Sequence, residues 1–348
     1  MQNTLIIRAD ASAAIGVGHV MRCLALAQAW QDAGGAAVLV SSVLPENLEK
    51  RLRGERIGCV RLLAAVGSAA DVAETARCAE EASAEWIVVD GYRFDADYYR
   101  CVRGNGRKVL VIDDMAHLDR YPVDVLLNQN LSAQPLNYDG KTEEATQLLL
   151  GPRYSLLRRE FRARVEVPRP AVHRPFRVLV SFGGGDAENF TGRILENLMR
   201  SGRRDLAVVV LAGAANPHGA ALRRLTASAP FACEIRSNVE DVASVMAWAD
   251  AAVTAAGSTV WELASLRLPA LIGAFEANQL AGLPALQGVP IFRAWPIEEL
   301  LRRNLAVELD DLVSRRVEFA GFDAHGATRT VERLNSRFAQ SLRDHTFV

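Results

Sequence analysis

The first residues with chemical potential form a glycine turn that ends in a histidine. In IGVGHVMRCLALAQAW, residues 15–30, Gly16 and Gly18 flank Val17, and His19 follows directly. Such a turn lets the backbone approach a ligand, and the free N–H groups at a helix start favour a phosphate or another anion. An imidazole there can act as a general base, but a histidine at a helix start is also often a solvated or capping residue. The turn alone leaves both interpretations open.

A strand and a helix must position this turn. The preceding run TLIIRAD predicts a buried strand, and the apolar residues after His19 recur at helical spacing. A dinucleotide-binding fingerprint is disfavoured because Met21 occupies its third glycine position. The next strand, AAVLVSS, also ends in Ser41 and Ser42 and offers no acidic residue for a ribose.

Apolar runs alternate with helical segments through residues 1–150, which predicts a parallel doubly wound sheet. Ligands of such sheets bind at the carboxyl ends of the strands. Aspartates at these ends could ligate a metal, but their spacing shows no convergence, and capping or turn formation is commoner. A tyrosine there suits a hydrogen bond to a sugar or a packed position equally well. The polar strand ends are Asp10, residues 90–92 with Asp90 and Tyr92, Asp113, Asp114 and residues 128–130.

The second half of the chain repeats the pattern of strand, glycine turn and helix. FRVLVSFGGGDAENF predicts a strand, a glycine turn at residues 183–185 and a helix, a second candidate anion site. In AAGSTVWEL, Ser258 and Thr259 can meet a phosphate and Glu262 can accept ribose hydroxyls. A plain capping box explains AAGSTVWEL as well. The presence of two glycine turns in two similar halves favours nucleotide binding.

Composition indicates a folded protein of two domains. The chain has 348 residues, of which 50% are hydrophobic and 23% charged, so each half can form its own core. Its net charge of −1 provides no overall field for nucleic acid or an acidic membrane. Prolines and arginines in residues 151–175 predict a helix, a linker and a boundary near residue 170, with the arginines on a solvated face.

Cysteine usage and hydropathy favour a cytoplasmic protein. The five cysteines are widely spaced without a C-x-x-C pair, which disfavours a disulfide framework or a zinc site. The N-terminus enters a strand directly, and no 18-residue apolar run is present, so neither export nor a membrane span is expected. A monomer is compatible with the sequence, which leaves the oligomeric state open.

Motifs along nearly the whole chain carry a family resemblance: RADAS, IGVGHVMRCLALA, DGY, DDMAH, DVLLNQN, LLGPRYSLLRREF, FGGGD, AAGSTVWEL, NQ and DAHGATRTVERL. The chain resembles the UDP-2,4-diacetamido-2,4,6-trideoxy-β-L-altropyranose hydrolases of pseudaminic acid biosynthesis and the spore-coat polysaccharide proteins similar to them. This resemblance implies an α/β fold of the glycosyltransferase-B type, with two Rossmann-like doubly wound parallel-sheet domains facing across a cleft. Residues 1–170 would carry the catalytic turn and residues 171–348 would bind UDP, with the last helix able to pack back on the first domain.

The resemblance also implies an activity and a set of site residues. In enzymes of the family that the chain resembles, water displaces UDP from the sugar C1 without a metal or cofactor, which would release free 2,4-diacetamido-2,4,6-trideoxy-L-altrose here. The implied catalytic residues are His19 and Tyr92. The implied substrate contacts are Asp10, Gly16, Val17 and Gly18 in the first half; Gly184, Gly185 and Asp186 at the diphosphate; Ser237 and Val239 at uracil; Gly257, Ser258 and Thr259 at phosphate; Glu262 at the ribose; and Asn278 and Gln279 at the sugar or phosphate.

Several alternatives stay open. UDP is a good leaving group, so one base and fixed positive dipoles could suffice instead of two carboxylates. A glycosyltransferase would instead need an acceptor, a UDP-sugar 2-epimerase would use carboxylates around the sugar, and a non-catalytic protein would bind a UDP-sugar without consuming it. The segment before NQ departs from the family pattern, and the sugar configuration stays undetermined because related UDP-diamino sugars have hydrolases on the same scaffold.

Overall fold

The computed structural model describes residues 3–12, 14–183, 185–213, 216–315, 317 and 319–344, with side chains at 135, 136 and 336–344 excepted. The chain folds into two compact units. The first contains Met1–Ser12, His19–Arg159 and Ala324–Val348, and the second contains Ala13–Gly18 and Glu160–Asp323. The second compact unit begins earlier in the chain than residue 171, and Ala324–Val348 belong to the first unit. The domain limits 1–170 and 171–348 stay a prediction.

In the first unit, the described residues form a seven-stranded parallel sheet with helices between its strands. The strand order is β3-β2-β1-β4-β5-β6-β7, so the direction of winding reverses between β1 and β4. The elements are β1 (Thr4–Ala9), α1 (Gly18–Asp32), β2 (Ala36–Ser41), α2 (Glu46–Gly54), β3 (Gly58–Arg61), α3 (Ala69–Glu81), β4 (Trp86–Asp90), α4 (Ala96–Val102), β5 (Lys108–Ile112), β6 (Val125–Asn128) and β7 (Gln147–Leu150).

In the second unit, the described residues form a six-stranded parallel sheet in the order β10-β9-β8-β11-β12-β13. Its winding reverses between β8 and β11. The helix α5 (Arg159–Arg162) crosses the division between the units, and the further elements are β8 (Phe176–Ser181), α6 (Phe190–Arg200), β9 (Leu206–Leu211), α7 (Gly219–Ala227), β10 (Ala232–Arg236), α8 (Val242–Trp248), β11 (Ala251–Ala255), α9 (Thr259–Ser265), β12 (Ala270–Ala274), α10 (Ala277–Gln287), β13 (Phe292–Pro296), α11 (Ile297–Arg302) and α12 (Leu305–Ser314); α13 (Gly326–Asp344) follows in the first unit.

The central strands explain why the sheets form. Every residue of β4 and β11 is buried, and both strands are rich in apolar residues, as expected where helices cover both faces of a parallel sheet. Burying each large aliphatic side chain contributes roughly 1.5 to 3 kcal/mol. These two doubly wound sheets confirm the predicted α/β class. Among the described residues, no helix is both long enough and apolar enough to cross a membrane.

Candidate active site

The topology of the first sheet brings two strand ends together. Ala9, the last residue of β1, is the register partner of Asp90, the last residue of β4. The chain leaves β1, turns through Gly16 at φ +80°, and enters α1 with His19 as the second helical residue. A positive φ of this size suits glycine because it has no Cβ. The reversal point of the sheet therefore places His19, at the start of α1, beside the end of β4, where ligands of such folds bind.

His19 forms a short hydrogen bond with the carboxylate that ends β4. Its Nδ1 lies 2.7 Å from Asp90 Oδ1, and the histidine is 9% exposed. Because an ionised carboxylate can only accept, Nδ1 carries the proton and Nε2 carries the lone pair. Within the described residues, Nε2 makes no hydrogen bond. The imidazole is therefore oriented and held in the tautomer that a general base requires.

Asp90 is kept ionised by a buried arginine. Burial alone would raise the pKa of Asp90, but Arg22 and His19 hold it well below its usual range. Arg22 donates from Nε to Asp90 Oδ2 and from Nη2 to Oδ1, both at 2.7 Å. This bidentate pair fixes the carboxylate against His19.

The same guanidinium reaches a second carboxylate. Arg22 Nη1 donates to Asp114 Oδ1 at 2.8 Å, and Nη2 donates to Oδ2 at 2.9 Å. Asp114 follows β5, the neighbour of β4, and its pKa is lowered mainly by Arg22 against the opposing effect of burial. Two carboxylates and one guanidinium leave a net charge of −1 beside the imidazole of His19.

Tyr92 completes this group, which we call the His19 cluster (His19, Arg22, Asp90, Tyr92 and Asp114). The Tyr92 hydroxyl donates to Asp114 Oδ2 at 2.7 Å, and its ring meets the His19 ring edge-to-face with centroids 4.9 Å apart. Burial and Asp114 raise the pKa of Tyr92 well above its usual value. The phenol therefore stays protonated and its ring packs against the imidazole.

Asp10, another predicted substrate contact, is bonded to the protein through both carboxylate oxygens. Oδ1 accepts from the Ser41 hydroxyl and from the backbone N–H groups of Ser42 and Val43, while Oδ2 pairs with Arg8 at 2.7 Å. These bonds tie the end of β1 to the end of β2. The contacts of Asp10 therefore stabilise the fold, and its predicted contact with the substrate stays a prediction.

The aspartates that could have formed a metal site have other partners. Asp113 accepts from Tyr121, Tyr138 and the backbone N–H of Ala116. Asp90 and Asp114 share Arg22, whose positive charge opposes a cation at the same place. In the part of the chain that the structure describes, no group of three or more His, Cys, Asp or Glu residues is arranged to hold a metal ion.

In the second unit, the glycine turn after β8 leads to an aspartate that caps a helix. Gly183 has φ +84°, and Gly184 lies outside the described residues. Asp186 accepts from the N–H groups of Phe190 at 2.8 Å and Thr191 at 3.0 Å. Two N–H groups that could have met an anion at the start of α6 are therefore already bonded. The contact of Gly184, Gly185 and Asp186 with the diphosphate stays a prediction.

The hydrogen bonds of Asp186 to the start of α6 and its predicted contact with the diphosphate can be tested separately. As a cap, Asp186→Ala is expected to lower the free energy of unfolding by about 1 kcal/mol, measured by urea denaturation. Asn304→Ala is the matched control because Asn304 caps α12 through the N–H of Val307. An additional loss of UDP affinity in Asp186→Ala alone would support the predicted contact with the diphosphate, whereas equal UDP affinity in both variants would leave Asp186 with capping alone.

The AAGSTVWEL segment joins β11 to α9. Ser258 occupies the N-cap position, but its side chain makes no capping hydrogen bond, so the capping-box alternative is not formed by Ser258. Gly257, Ser258 and Thr259 are partly exposed at the carboxyl end of β11, and Glu262 lies in the first turn of α9. Thr254 in β11 pairs with Ser181 in β8, so this loop and the turn after β8 leave neighbouring strands.

The remaining predicted contacts lie at other carboxyl ends of the second sheet. Ser237 is exposed and Val239 partly exposed after β10. Asn278 and Gln279 lie in the first turn of α10, after β12. The Gln279 side chain accepts from the Phe275 N–H, which fixes it at the helix start. All these loops share the edge at which doubly wound sheets bind ligands.

Sequence reasoning missed Arg22. It lies three residues after His19, a spacing that places both side chains on one face of a helix. That spacing was the available signal, but a charged residue in an apolar helix gives no indication of its partner. The aspartates of the cluster were recognised as strand-end residues without their connection to His19.

Among relatives, no family model matches the chain. The UDP-2,4-diacetamido-2,4,6-trideoxy-β-L-altropyranose hydrolase of Campylobacter jejuni is 25% identical over 266 residues, which cover 76% of this chain and 88% of that protein. This match confirms the resemblance to the hydrolase family. An uncharacterised protein of Methanocaldococcus jannaschii is 23% identical over 273 residues, covering 77% of this chain. The matched region spans only 55% of that archaeal protein.

Solved structures support the fold. The structure of MurG from Acinetobacter baumannii has a TM-score of 0.57 at 16% identity and covers 94% of this chain and 95% of its own. MnaA of S. aureus, solved with UDP, has a TM-score of 0.62 at 13% identity and covers 97% of both chains. A UDP-GlcNAc 2-epimerase of Methanocaldococcus jannaschii has a TM-score of 0.60 at 11% identity, with 97% and 100% covered. The chain therefore has the predicted glycosyltransferase-B fold.

Proposed function

We propose that this protein is an enzyme that acts on a UDP-sugar, and that it hydrolyses UDP-2,4-diacetamido-2,4,6-trideoxy-β-L-altropyranose to UDP and the free sugar, 2,4-diacetamido-2,4,6-trideoxy-L-altrose, as in pseudaminic acid biosynthesis. The observation that carries the proposal is the oriented imidazole of His19, 2.7 Å from Asp90, in a chain related to a hydrolase of this substrate. All five cysteines are free, which supports a cytoplasmic location as part of the proposal.

The reaction needs one proton transfer at the start. Nε2 of His19 takes a proton from water as the water oxygen bonds to the sugar C1. The bond between C1 and the diphosphate oxygen breaks, and its electron pair leaves with UDP. Asp90 stabilises the imidazolium, and Arg22 holds Asp90 in place. A general base of this kind typically accelerates a reaction by about 100-fold to 10,000-fold.

The second unit supplies the nucleotide contacts in this proposal. Backbone N–H groups of the turn at Gly185 and of residues 257–259 face the diphosphate, and the hydroxyls of Ser258 and Thr259 bind a phosphate. Glu262 accepts the ribose hydroxyls, and the backbone of residues 237–239 recognises uracil. Asn278 and Gln279 contact the sugar or phosphate. Support comes from the common position of these loops at the carboxyl edge of the second sheet, where ligands of doubly wound sheets bind.

The test is to incubate the protein with UDP-2,4-diacetamido sugars of different configuration and to follow the free sugar by NMR. Release of UDP and free sugar in equal amounts without an acceptor is the expected result. UDP release only with an added acceptor would identify a glycosyltransferase. Reversible interconversion without free sugar would identify a 2-epimerase, and binding without turnover would identify a non-catalytic protein.

Metal removal is expected to leave the reaction unaffected. Arg22 already pairs with both carboxylates of the His19 cluster, Asp90 and Asp114, so the cluster needs no cation to stay together. Turnover should be equal in the presence of excess EDTA and of added Mg²⁺. A clear loss in EDTA that Mg²⁺ restores would contradict the metal-independent mechanism.

A further inference from the structure

The second unit contains a cavity at the edge of its sheet opposite the predicted nucleotide loops. Pro269 immediately precedes β12, and Pro290 and Ile291 immediately precede β13, so the amino ends of these strands form one wall. Leu312 of α12 and Phe319 contribute to the lining. The cavity has a volume of about 240 Å³. It is smaller than typical pockets for drug-sized ligands, which measure roughly 300 to 1,000 Å³.

Two arginines, Arg169 and Arg267, also line this otherwise apolar cavity. Arg169 donates from Nη2 to the carbonyl of Ala249, and Arg267 donates from Nη2 to the carbonyl of Val167 at 2.9 Å. Each guanidinium carries five N–H donors, and the bond to a carbonyl uses one nitrogen of each. No carboxylate pairs with either side chain within the described residues.

The carboxylate whose charge acts on Arg169, Asp250, is bonded to other groups. Asp250 accepts at Oδ1 from His173 Nδ1 at 2.8 Å and at Oδ2 from the Arg177 N–H at 2.9 Å. Its charge attracts Arg169 without forming an ion pair. Burial lowers the pKa of Arg169 to about 10, with Arg267 adding to the effect and Asp250 opposing it. In an apolar setting, two cations without a paired carboxylate carry a positive charge that no counterion balances.

We propose that this cavity is a second ligand site, which binds a small organic carboxylate that has an apolar body. The carboxylate balances the positive charge of Arg169 and Arg267. A planar guanidinium also matches the geometry of a carboxylate, to which it can donate two parallel hydrogen bonds. The apolar body fills the space between the prolines, Leu312 and Phe319. The walls favour such a ligand over a bare inorganic anion, which would leave the apolar surface in contact with water.

This site is separate from the proposed reaction. Residues 257–259 follow the carboxyl end of β11, whereas Ala249 precedes its amino end. Pro269 pairs with β11 at that same amino edge through the N–H of Ala252. The two edges of a parallel sheet are separated by the length of its strands, and a strand of five residues spans about 16 Å. Ligand binding in the cavity therefore leaves the nucleotide loops open.

Benzoate is the probe, with binding measured by isothermal titration calorimetry on the full chain. Benzamide has the same shape without the charge, and inorganic phosphate has charge without an apolar body. Wild-type protein is expected to bind one benzoate at least tenfold more tightly than either control ligand. NMR of labelled methyl groups is expected to show shifts at Ile291 and Leu312. Saturating UDP should leave the benzoate affinity unchanged.

Two substitutions test the arginines. Arg169→Met and Arg267→Met are each expected to weaken benzoate binding by about tenfold or more, the loss typical of a charge-assisted hydrogen bond. Arg200→Met is the control, since Arg200 is an exposed residue of α6; it should bind benzoate as the wild type does. The comparison of benzoate with benzamide on the wild type needs no variant, so it decides the question even where a variant fails to fold.

Several results would overturn the proposal. Equal affinity for benzamide would mean an apolar cavity without anion recognition, and equal affinity for phosphate would mean a simple anion site. Competition by UDP would place benzoate at the nucleotide loops. Glu318 follows Val317, another lining residue, by one position. If the Glu318→Gln variant bound benzoate and the wild type did not, Glu318 would be the counterion of the two arginines. An external carboxylate would then have no role.

Discussion

Replacing His19 with asparagine is expected to reduce turnover of the UDP-sugar by about 100-fold to 10,000-fold, the usual contribution of a general base. Asparagine removes the lone pair of Nε2 and keeps a polar side chain next to Asp90. The dissociation constant of UDP is expected to stay nearly unchanged, since the proposed nucleotide contacts lie in the second unit. Turnover is measured by NMR detection of free sugar, and UDP binding by calorimetry. His19→Ala should give the same result.

A histidine in the second unit provides a matched control. His173 Nδ1 lies 2.8 Å from Asp250 Oδ1, so His173→Asn removes a similar histidine–aspartate pair outside the His19 cluster. We expect this variant to retain full turnover. If His19→Asn lost UDP affinity and turnover by the same factor, the residue would be structural and the base in the proposed mechanism would have to be another group.

Replacing Arg22 with methionine is expected to lower the free energy of unfolding by about 3 to 5 kcal/mol, the usual cost of leaving buried charges unpaired. Arg22 is 6% exposed and bonds the carboxylates of Asp90 and Asp114. Without it, two carboxylates with depressed pKa values lose their common counterion. Urea denaturation at neutral pH measures the effect.

The double variant Arg22→Met with Asp114→Asn provides the internal check. Removing one of the two repelling charges should recover part of the lost stability, which identifies charge as its cause. Arg77→Met is the external control, because the ion pair of Arg77 with Glu81 is exposed and such pairs contribute little. A change no larger in Arg22→Met than in Arg77→Met would contradict the buried ion cluster.

The first β–turn–α segment was predictable because three local signals agree there. The apolar run of β1, the glycine turn and the helical periodicity of α1 all follow from short-range sequence. Two of the edge strands, β3 and β13, were not predicted, whereas TQLLLG and CEIRS predicted β7 and β10. The strand β3, GCVR, has no buried residue, and β13, FRAWP, contains an arginine and ends in proline. These segments form strands because they pair with β2 and β12, although no strong apolar pattern in their sequence indicates a strand.

The aspartates illustrate why site residues are harder to predict than elements. Asp10, Asp90 and Asp186 all follow or end buried strands, or lie in the turn after one, so they look alike in the sequence. In the structure, Asp10 joins two strand ends, Asp90 orients a histidine and Asp186 caps a helix. The partner decides the role in each case, and the partners that join Asp10 to the end of β2 and Asp90 to His19 are remote in sequence.

Local patterns in the chain were enough to specify the two doubly wound sheets, the two glycine turns and the position of His19 at the start of a helix. These features depend on periodicity and on the backbone freedom of glycine, which act over a few residues. The meeting of His19 with Asp90, and the bridge that Arg22 makes from Asp90 to Asp114, arise only in the folded chain. These contacts connect positions 68 to 92 residues apart. They depend on strand order and register, which bring the ends of β1, β4 and β5 side by side.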